Sequence, residues 1–203
     1  MLAVIGASCG QPKFRIVNNG AEKTYTKIPR AWTEFPVSTE RTDRIDPKFS
    51  EDVSLLWSIG FDADPKSDVA HVTQLFAFDA LDFPVGQLNV YQIQGNYAQN
   101  LSLAGARTDP FGVDPLNVPD KVQDLVEVGD YQPLAPSTGL QGSRVIFNVR
   151  PNADSPWNTY DMVTAFDQSR KRMYTMIVGC SGKCFEDNRH EISQIVTSWK
   201  VDR

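Results

Sequence analysis

The sequence predicts an α+β fold, in which helices flank an antiparallel β-sheet and an amphipathic helix lies at the carboxyl end. Most segments carry the alternating or β-branched pattern of strands, whereas the strongest helical repeat lies near the carboxyl terminus. The chain has 203 residues, of which 41% are hydrophobic and 22% are charged. This length and composition suit one globular domain and exclude a disordered or repeat chain. Strands followed by a terminal helix favour a sandwich with that helix on one sheet face.

Eight segments are predicted as strands because their apolar residues alternate or are β-branched, and turn-prone residues bound them. In chain order they are residues 26–35, 53–61, 70–78, 87–94, 125–128, 143–150, 160–166 and 173–179. A proline inside the first segment predicts an edge strand, and the polar run 167–171 predicts a hairpin turn between the last two. Upstream, Phe14 to Val17 is β-like and leads into a hairpin turn signal, Asn18-Asn19-Gly20.

Two helices are predicted. A short one runs from Tyr97 to Arg107 and ends before an Asp-Pro pair. The second begins at Asn188, a cap residue with Glu191 three positions later in capping-box spacing. Its apolar residues recur at i, i+3, i+4 and i+7, which gives one buried face; they are Ile192, Ile195, Val196 and Trp199.

The amino end resembles the last part of a bacterial lipoprotein signal peptide. A short apolar run leads to small residues and then to Cys9, the position that is lipidated in such proteins. Gly6 stands where these motifs usually carry an aliphatic residue, and no charged region precedes the apolar run. We predict a signal-peptide remnant over residues 1–8, a lipidated Cys9 with a tether over residues 9–24, and one folded domain over residues 25–203.

Two other interpretations of the amino end stay open. Residues 6–10 formally fit G-x-S-x-G, in which Ser8 would be the nucleophile of a hydrolase. That motif needs a helix directly after the turn, and the residues that follow are β-like instead. The other alternative is a first buried strand from Leu2 to Ile5, with Cys9 as a small core residue.

Cys180 and Cys184 are predicted to form a disulfide. Gly182 lies between them and allows the chain to turn sharply enough to close a small ring. The alternatives are two free buried thiols or a zinc site with His190, although zinc would need one more ligand. A disulfide would leave Cys9 as the one unpaired cysteine, and lipidation would modify it. The predicted disulfide and the predicted lipidation both indicate a location outside the cytoplasm.

The order of elements resembles that of the Mog1/PsbP-like superfamily and, within it, the actinobacterial LpqN/LpqT-type lipoproteins. Four stretches carry this resemblance: residues 27–35, 142–149, 172–179 and the closing helix 191–201. It covers residues 25–203 and implies a central antiparallel sheet flanked by helices. It also implies no catalytic residues, since members act as accessory or binding proteins. The plant branch assists photosystem II and the fungal branch binds a small GTPase, but nothing in this sequence supports either partner.

A search for chemical motifs finds little. His71 and His190 are predicted to be satisfied or solvent-facing, and Asp62, Asp64 and Asp68 lack the glycine and terminal glutamate of a calcium loop. No nucleotide-binding signature occurs, and a net charge of −5 without a basic cluster argues against nucleic acid as a partner. We therefore predict no catalytic residue, no metal and no cofactor.

Trp157 and Tyr160, beside two prolines, are the candidate partner-binding residues because aromatic side chains on loops often anchor partners. The function expected from all of this is a non-enzymatic binding or accessory protein at the extracytoplasmic face of a bacterial, and by resemblance actinobacterial, membrane. Its partners would be membrane lipid at Cys9 and an integral membrane complex or envelope component. The alternatives are a soluble carrier of a small apolar ligand, with a pocket between sheet and helix, and an envelope hydrolase.

Overall fold

The structure is a computed structural model, and it describes residues 13–37, 51–75, 81–108 and 111–202. Ten strands form two antiparallel sheets in these residues. The large sheet has seven strands in the order β3-β4-β5-β9-β8-β7-β6, and the small sheet has the order β1-β2-β10. The strands are β1 (Phe14–Asn19), β2 (Thr24–Pro29), β3 (Thr33–Pro36), β4 (Val53–Asp62), β5 (Val85–Ile93), β6 (Val126–Pro133), β7 (Leu140–Val149), β8 (Asn158–Asp167), β9 (Arg172–Ser181) and β10 (Lys200–Val201).

Helices cover both faces of the large sheet. They are α1 (Val69–Gln74), α2 (Gly95–Asn100), α3 (Leu103–Thr108) and α4 (Gly182–Ser198). Helix α4 packs on β8, β9 and β2, whereas α1 packs on β4 and β5 and α3 packs on β7 and β8. None of the helices in the described part of the chain is both long enough and apolar enough to cross a membrane. The predicted α+β sandwich with a carboxyl-terminal amphipathic helix is confirmed.

Strand alternation divides the core between the two faces of the large sheet. Along β9, Met176 and Val178 point toward α4, while Met173 and Ile177 point to the opposite side. Both sets are almost fully buried, as expected for a sheet covered on both faces. The α4 side holds one large apolar cluster, and the other side holds two smaller ones.

The small sheet attaches the amino-terminal hairpin to the end of α4. β2 pairs with β1 on one edge and with β10 on the other. The Thr26 hydroxyl, fully buried, donates a hydrogen bond of 3.1 Å to the carbonyl oxygen of Ile195 in α4. Residues 14–19 are therefore a strand of the folded domain rather than part of a tether, so the domain begins before the predicted boundary at residue 25.

Three further element predictions are corrected. The segment predicted as a strand from residue 70 begins as helix α1, because the Asp68 side chain caps it by accepting a 2.8 Å hydrogen bond from the Ala70 amide. Helix α4 begins at Gly182, six residues before the predicted cap. Asn188 is an interior residue of α4, and its side-chain amide donates to the carbonyl oxygen of Cys184 at 2.9 Å. The predicted helix 97–107 is present as two short helices, α2 and α3.

Candidate functional site

A cleft lies where the carboxyl end of α4 passes over β7 and β8. We call it the α4 cleft. Its volume is about 540 Å³, and the connection between β6 and β7 forms its outer wall. Most of the side chains that line it are apolar: Pro133, Leu134, Ala135, Leu140, Val163, Val196, Trp199 and Val201. The polar lining residues are Gln132, Ser137, Thr138, Arg144, Thr197 and Lys200.

The outer wall of the α4 cleft is held by its backbone. A short 3₁₀ turn, Pro136–Thr138, ends at Gly139, whose φ of 71° is in the left-handed region that glycine adopts without strain. After the turn the chain reverses into β7, and the Leu134 amide donates to the carbonyl oxygen of Gly142 at 3.0 Å. The wall is thus a closed loop of defined shape, and Leu134 and Leu140 pack against the main apolar cluster.

The floor of the cleft contains one buried ion pair. Arg144 on β7 binds Asp161 on β8 through both carboxylate oxygens; the Nε–Oδ1 distance is 2.7 Å. Arg144 also donates to the Ser193 hydroxyl of α4 at 3.1 Å. The hydrogen bond to Asp161 raises the pKa of Arg144, so the guanidinium stays charged while its charge is compensated. The pair fastens α4 to the sheet and presents little free charge to the cleft.

Trp199 closes the inner end of the cleft. Its indole NH donates to the Thr24 hydroxyl at 3.0 Å, and its ring lies 5.8 Å from the ring of Tyr174. Burial raises the pKa of Tyr174 to about 12. Lys200 follows directly, is exposed, and is one of the polar residues that line the cleft.

The two carboxyl-terminal cysteines form a disulfide, as the sequence predicts, with Cα atoms 5.8 Å apart. It joins the end of β9 to the first turn of α4. The Gly182 amide donates to the carbonyl oxygen of Trp157 at 2.8 Å, which fixes the same corner from the neighbouring strand. The amino end of α4 is therefore held covalently, while its carboxyl end forms the cleft wall.

The structure separates the two aromatic residues that were predicted to bind a partner. Trp157 is half-buried, lies under the guanidinium of Arg150 at 4.3 Å, and lines a second depression of about 630 Å³ beside Phe185 and Arg189. Tyr160 is 1% exposed, and its hydroxyl donates to the carbonyl oxygen of Leu75 at 2.9 Å. Alternation along β8 directs the Tyr160 side chain into the core, and a binding role for it stays a prediction. A binding role for Trp157 stays a prediction.

Other candidates from the sequence have structural roles or lie outside the described residues. His71 lies on α1, where its Nδ1 is 2.8 Å from Oδ2 of the buried Asp62. Asp62 also accepts hydrogen bonds from the amides of Asp64 and Asp68, so it organises the turn before α1. Within the described part of the chain, no group of three or more His, Cys, Asp or Glu side chains could hold a metal ion. Ser8 and Cys9 lie outside the described residues.

Sequence reasoning missed the α4 cleft and its ion pair. Arg144 and Asp161 are separated by 16 intervening residues and become neighbours only when β7 pairs with β8. One signal was present: each is a charged residue inside a segment that otherwise reads as a buried strand. Charged residues are almost never fully buried unless they are paired, so two such residues predict each other as partners.

Comparison with known proteins identifies the fold. The chain is similar to cyanobacterial PsbP (CyanoP) from Synechocystis at 11% sequence identity and a TM-score of 0.52, over 98% of this chain and 99% of that chain. The Ran-binding protein Mog1p of Saccharomyces cerevisiae is similar at 7% identity and a TM-score of 0.48, over 93% and 95% of the two chains. LpqN, involved in cell envelope biogenesis of Mycobacterium tuberculosis, is similar at 12% identity and a TM-score of 0.44, over 85% and 92%.

No model of a known protein family matches the sequence, and no curated protein does. The likeness to PsbP along nearly the whole of both chains confirms the predicted Mog1/PsbP-like fold.

Proposed function

We propose that this protein is a non-enzymatic binding protein that holds a small apolar ligand in the α4 cleft. We further propose that lipid at Cys9 anchors it to the extracytoplasmic face of a bacterial membrane. The observation that carries the binding role is the cleft itself, which lies between sheet and helix, where a carrier was expected to have its pocket. Its volume of about 540 Å³ lies within the usual range for small-molecule sites.

The lining favours binding over catalysis. No histidine, cysteine or carboxylate is among the described residues that line the cleft, and the Asp161 carboxylate beneath its floor is buried and bound to Arg144. The hydroxyls of Thr138 and Thr197 donate to backbone carbonyl oxygens, those of Ala135 and Ser193. Arg144 is already bound to Asp161 and Ser193. These residues suit recognition by shape and apolar contact.

The residues that line the cleft indicate the chemistry of its ligand. Leu134, Val163 and Trp199 would contact an apolar group, and each buried CH₂ would contribute about 0.8 kcal/mol. The exposed ammonium of Lys200 would lie near a polar or anionic end. An amphiphile with a short apolar body therefore fits better than a sugar or a nucleotide.

The disulfide supports the proposed location. Disulfides persist in oxidising compartments, and Cys180 and Cys184 are joined. Several acyl chains at Cys9 would anchor the protein stably, whereas one chain binds a membrane only marginally. Intact-mass measurement of protein extracted from membranes tests this part: a mass equal to the unmodified sequence would exclude the anchor. A Cys9→Ser variant should leave the membrane fraction.

The ligand role is tested with two tryptophan substitutions on α4. Thr197 is exposed and lines the cleft, whereas Gln194 is exposed on the same helix and does not. We expect Thr197→Trp to fill the cleft and to abolish binding of the amphiphilic dye anilinonaphthalene sulfonate. Gln194→Trp should bind it like the unaltered protein. Equal binding by both variants, or none by the unaltered protein, would contradict the proposal.

A second candidate function is that of an accessory subunit, in which the same cleft receives an apolar side chain of a membrane protein. The outer wall favours this because its lining residues Gln132, Pro133 and Ala135 are exposed, so a partner protein could contact the wall and the cleft together. A photocrosslinking residue at position 197, compared with one at 194, separates the two functions in native membranes. A cross-linked protein band specific to position 197 indicates the accessory role, and a small-molecule adduct indicates a carrier.

A further inference from the structure

A row of neutral polar side chains crosses the large sheet on the face opposite α4. The residues are cross-strand neighbours on five consecutive strands, so their side chains lie side by side. We call this row, with the adjacent Gln87, the polar seam. Its members are Ser58, Gln87, Asn89, Thr175, Thr164 and Ser143.

The polar seam is buried between two apolar clusters. On β9, Thr175 lies between Met173 and Ile177, which belong to different clusters. On β8, Thr164 separates Met162 from Phe166 in the same way. Every member of the seam is at most 6% exposed. Polar side chains are thus concentrated in one line at the centre of an otherwise apolar face.

At one end of the seam, the side chains form hydrogen bonds with one another. The Ser58 hydroxyl donates to Oδ1 of Asn89 at 2.5 Å, and the Gln87 amide donates to the Ser58 oxygen at 3.2 Å. Three polar atoms of the seam have no hydrogen-bond partner within the described part of the chain: Oε1 of Gln87, Oγ1 of Thr175 and Oγ of Ser143. Buried polar groups in native proteins are nearly always paired, and each unpaired one lowers stability. Two of these atoms lie in the row and the third lies beside it, so further hydrogen-bonding groups at the seam would satisfy all three.

We propose that the polar seam binds hydroxyl groups, supplied either by ordered internal water or by a small neutral ligand. Gln87 Oε1 is only an acceptor, so the bound group must donate a hydrogen bond there. The hydroxyls of Thr175 and Ser143 can donate or accept, which a hydroxyl partner matches. None of the six side chains is charged, so nothing in the seam would compensate an ion. This site lies on the opposite sheet face from the α4 cleft and does not depend on the proposed function.

The test compares two threonine-to-valine substitutions, which keep shape and remove the hydroxyl. Thr26 is buried, and its hydroxyl lies 3.1 Å from the Ile195 carbonyl oxygen and 3.0 Å from the Ser198 hydroxyl, so Thr26→Val measures the loss of visible hydrogen bonds. If the seam holds a bound hydroxyl, Thr175→Val should lower the folding equilibrium constant by about five- to tenfold. Thr26→Val should lower it by a similar factor. Ser143→Ala should act in the same direction.

The opposite result overturns the proposal. If Thr175 Oγ1 is truly unpaired, valine removes a desolvated polar group, and the folding constant of Thr175→Val should stay the same or rise. Valine has the same shape as threonine and fits the site. If Thr175→Val fails to fold while Thr26→Val folds, the failure therefore supports the loss of a bound group. If Thr26→Val misfolds, Thr159→Val replaces it, because the buried Thr159 hydroxyl also has a visible acceptor, Oδ1 of Asn148 at 2.8 Å.

The source of the hydroxyl is decided by comparing two preparations. Protein refolded from denaturant with its disulfide intact contains water but no carried ligand. If the Thr175→Val effect is the same there, and water-to-amide NMR cross-peaks occur near residue 175, the seam binds water. If the effect occurs only in natively extracted protein, whose native mass shows an adduct, the seam binds a neutral hydroxylated ligand. An effect in neither preparation contradicts both forms of the proposal.

Discussion

Arg144 of β7 and Asp161 of β8 form a bidentate ion pair beneath α4, and both side chains are almost completely removed from solvent. The Asp161 side chain is 1% exposed and that of Arg144 is 14% exposed. A third contact, from Arg144 to Ser193, makes this pair the polar link between the sheet and the helix. The pair therefore links α4 to the sheet beside the α4 cleft, which Arg144 also lines.

Removing one partner of this pair should be strongly destabilising. Arg144→Met leaves the Asp161 carboxylate buried without compensation, and we expect it to lower the free energy of unfolding by about 3 kcal/mol. Chemical denaturation followed by tryptophan fluorescence measures the change. The double variant Arg144→Met/Asp161→Leu should recover most of the loss, since no charge is then left buried.

An exposed pair on α4 serves as the control for that measurement. Arg189 and Glu186 are three residues apart with an N–O distance of 2.7 Å, and both are more than half exposed. Glu186→Gln should change the free energy of unfolding by less than about 1 kcal/mol. Equal effects of Arg144→Met and Glu186→Gln would show that the buried pair does not hold α4.

The disulfide should stabilise a corner of the fold and not the whole of it. The ring between Cys180 and Cys184 is short, so closing it removes little chain entropy and contributes about 2 kcal/mol at most. We expect Cys180→Ala/Cys184→Ala to fold and to lose at most that amount of unfolding free energy. Its denaturation midpoint should fall accordingly. Loss of all folded structure in the double variant would contradict this interpretation and give the disulfide a larger role.

Alkaline stability should depend on Tyr174. Burial raises the pKa of Tyr174 to about 12 in the folded protein, against about 10 in the unfolded chain. The neutral Tyr174 hydroxyl therefore contributes its full share of the free energy of unfolding below pH 10. This share, about 2–3 kcal/mol, is lost as the pH rises through 12. Denaturation midpoints measured at pH 9, 10, 11 and 12 check this.

Tyr174→Phe is the matched control for the pH series, because it keeps the ring against Trp199 and removes the ionisable group. The variant should lose less stability than the unaltered protein between pH 10 and 12. Parallel pH curves for the two proteins would mean that Tyr174 does not ionise in this range.

How far the sequence predicts this fold depends on whether a signal is local. β8, β9 and the turn 167–171 follow directly from local patterns, and the turn is confirmed by the hydrogen bonds that Asp167 accepts from Lys171 and Arg172. Helix α1 was misassigned because its apolar residues also fit a strand. The Asp68 side chain decides between the two structures by capping the helix.

The candidate sites were harder to predict because they arise from pairing between distant strands. The polar seam joins Ser58 to Ser143 only through the register of five strands, and no sequence window contains both ends. The α4 cleft likewise needs the β6–β7 connection and the end of α4 in one place. Local periodicity predicts which face a residue occupies, but register decides which residues meet there.

A glycine beside the cleft offers the last prediction. Gly142 begins the part of β7 that lies closest to β8, and a Cβ atom there would lie 2.4 Å from the Thr164 carbonyl oxygen and 2.7 Å from the Ala165 Cβ. Backbone cannot move aside as a flexible side chain does, so Gly142→Ala should push β7 away from β8. We expect a loss of about 1–3 kcal/mol, as for other overpacked cores, together with weaker dye binding in the cleft. Gly20→Ala is the matched control, since a Cβ there meets nothing within 4 Å. Unchanged stability in Gly142→Ala would show that the two strands are not packed as closely as the structure has them.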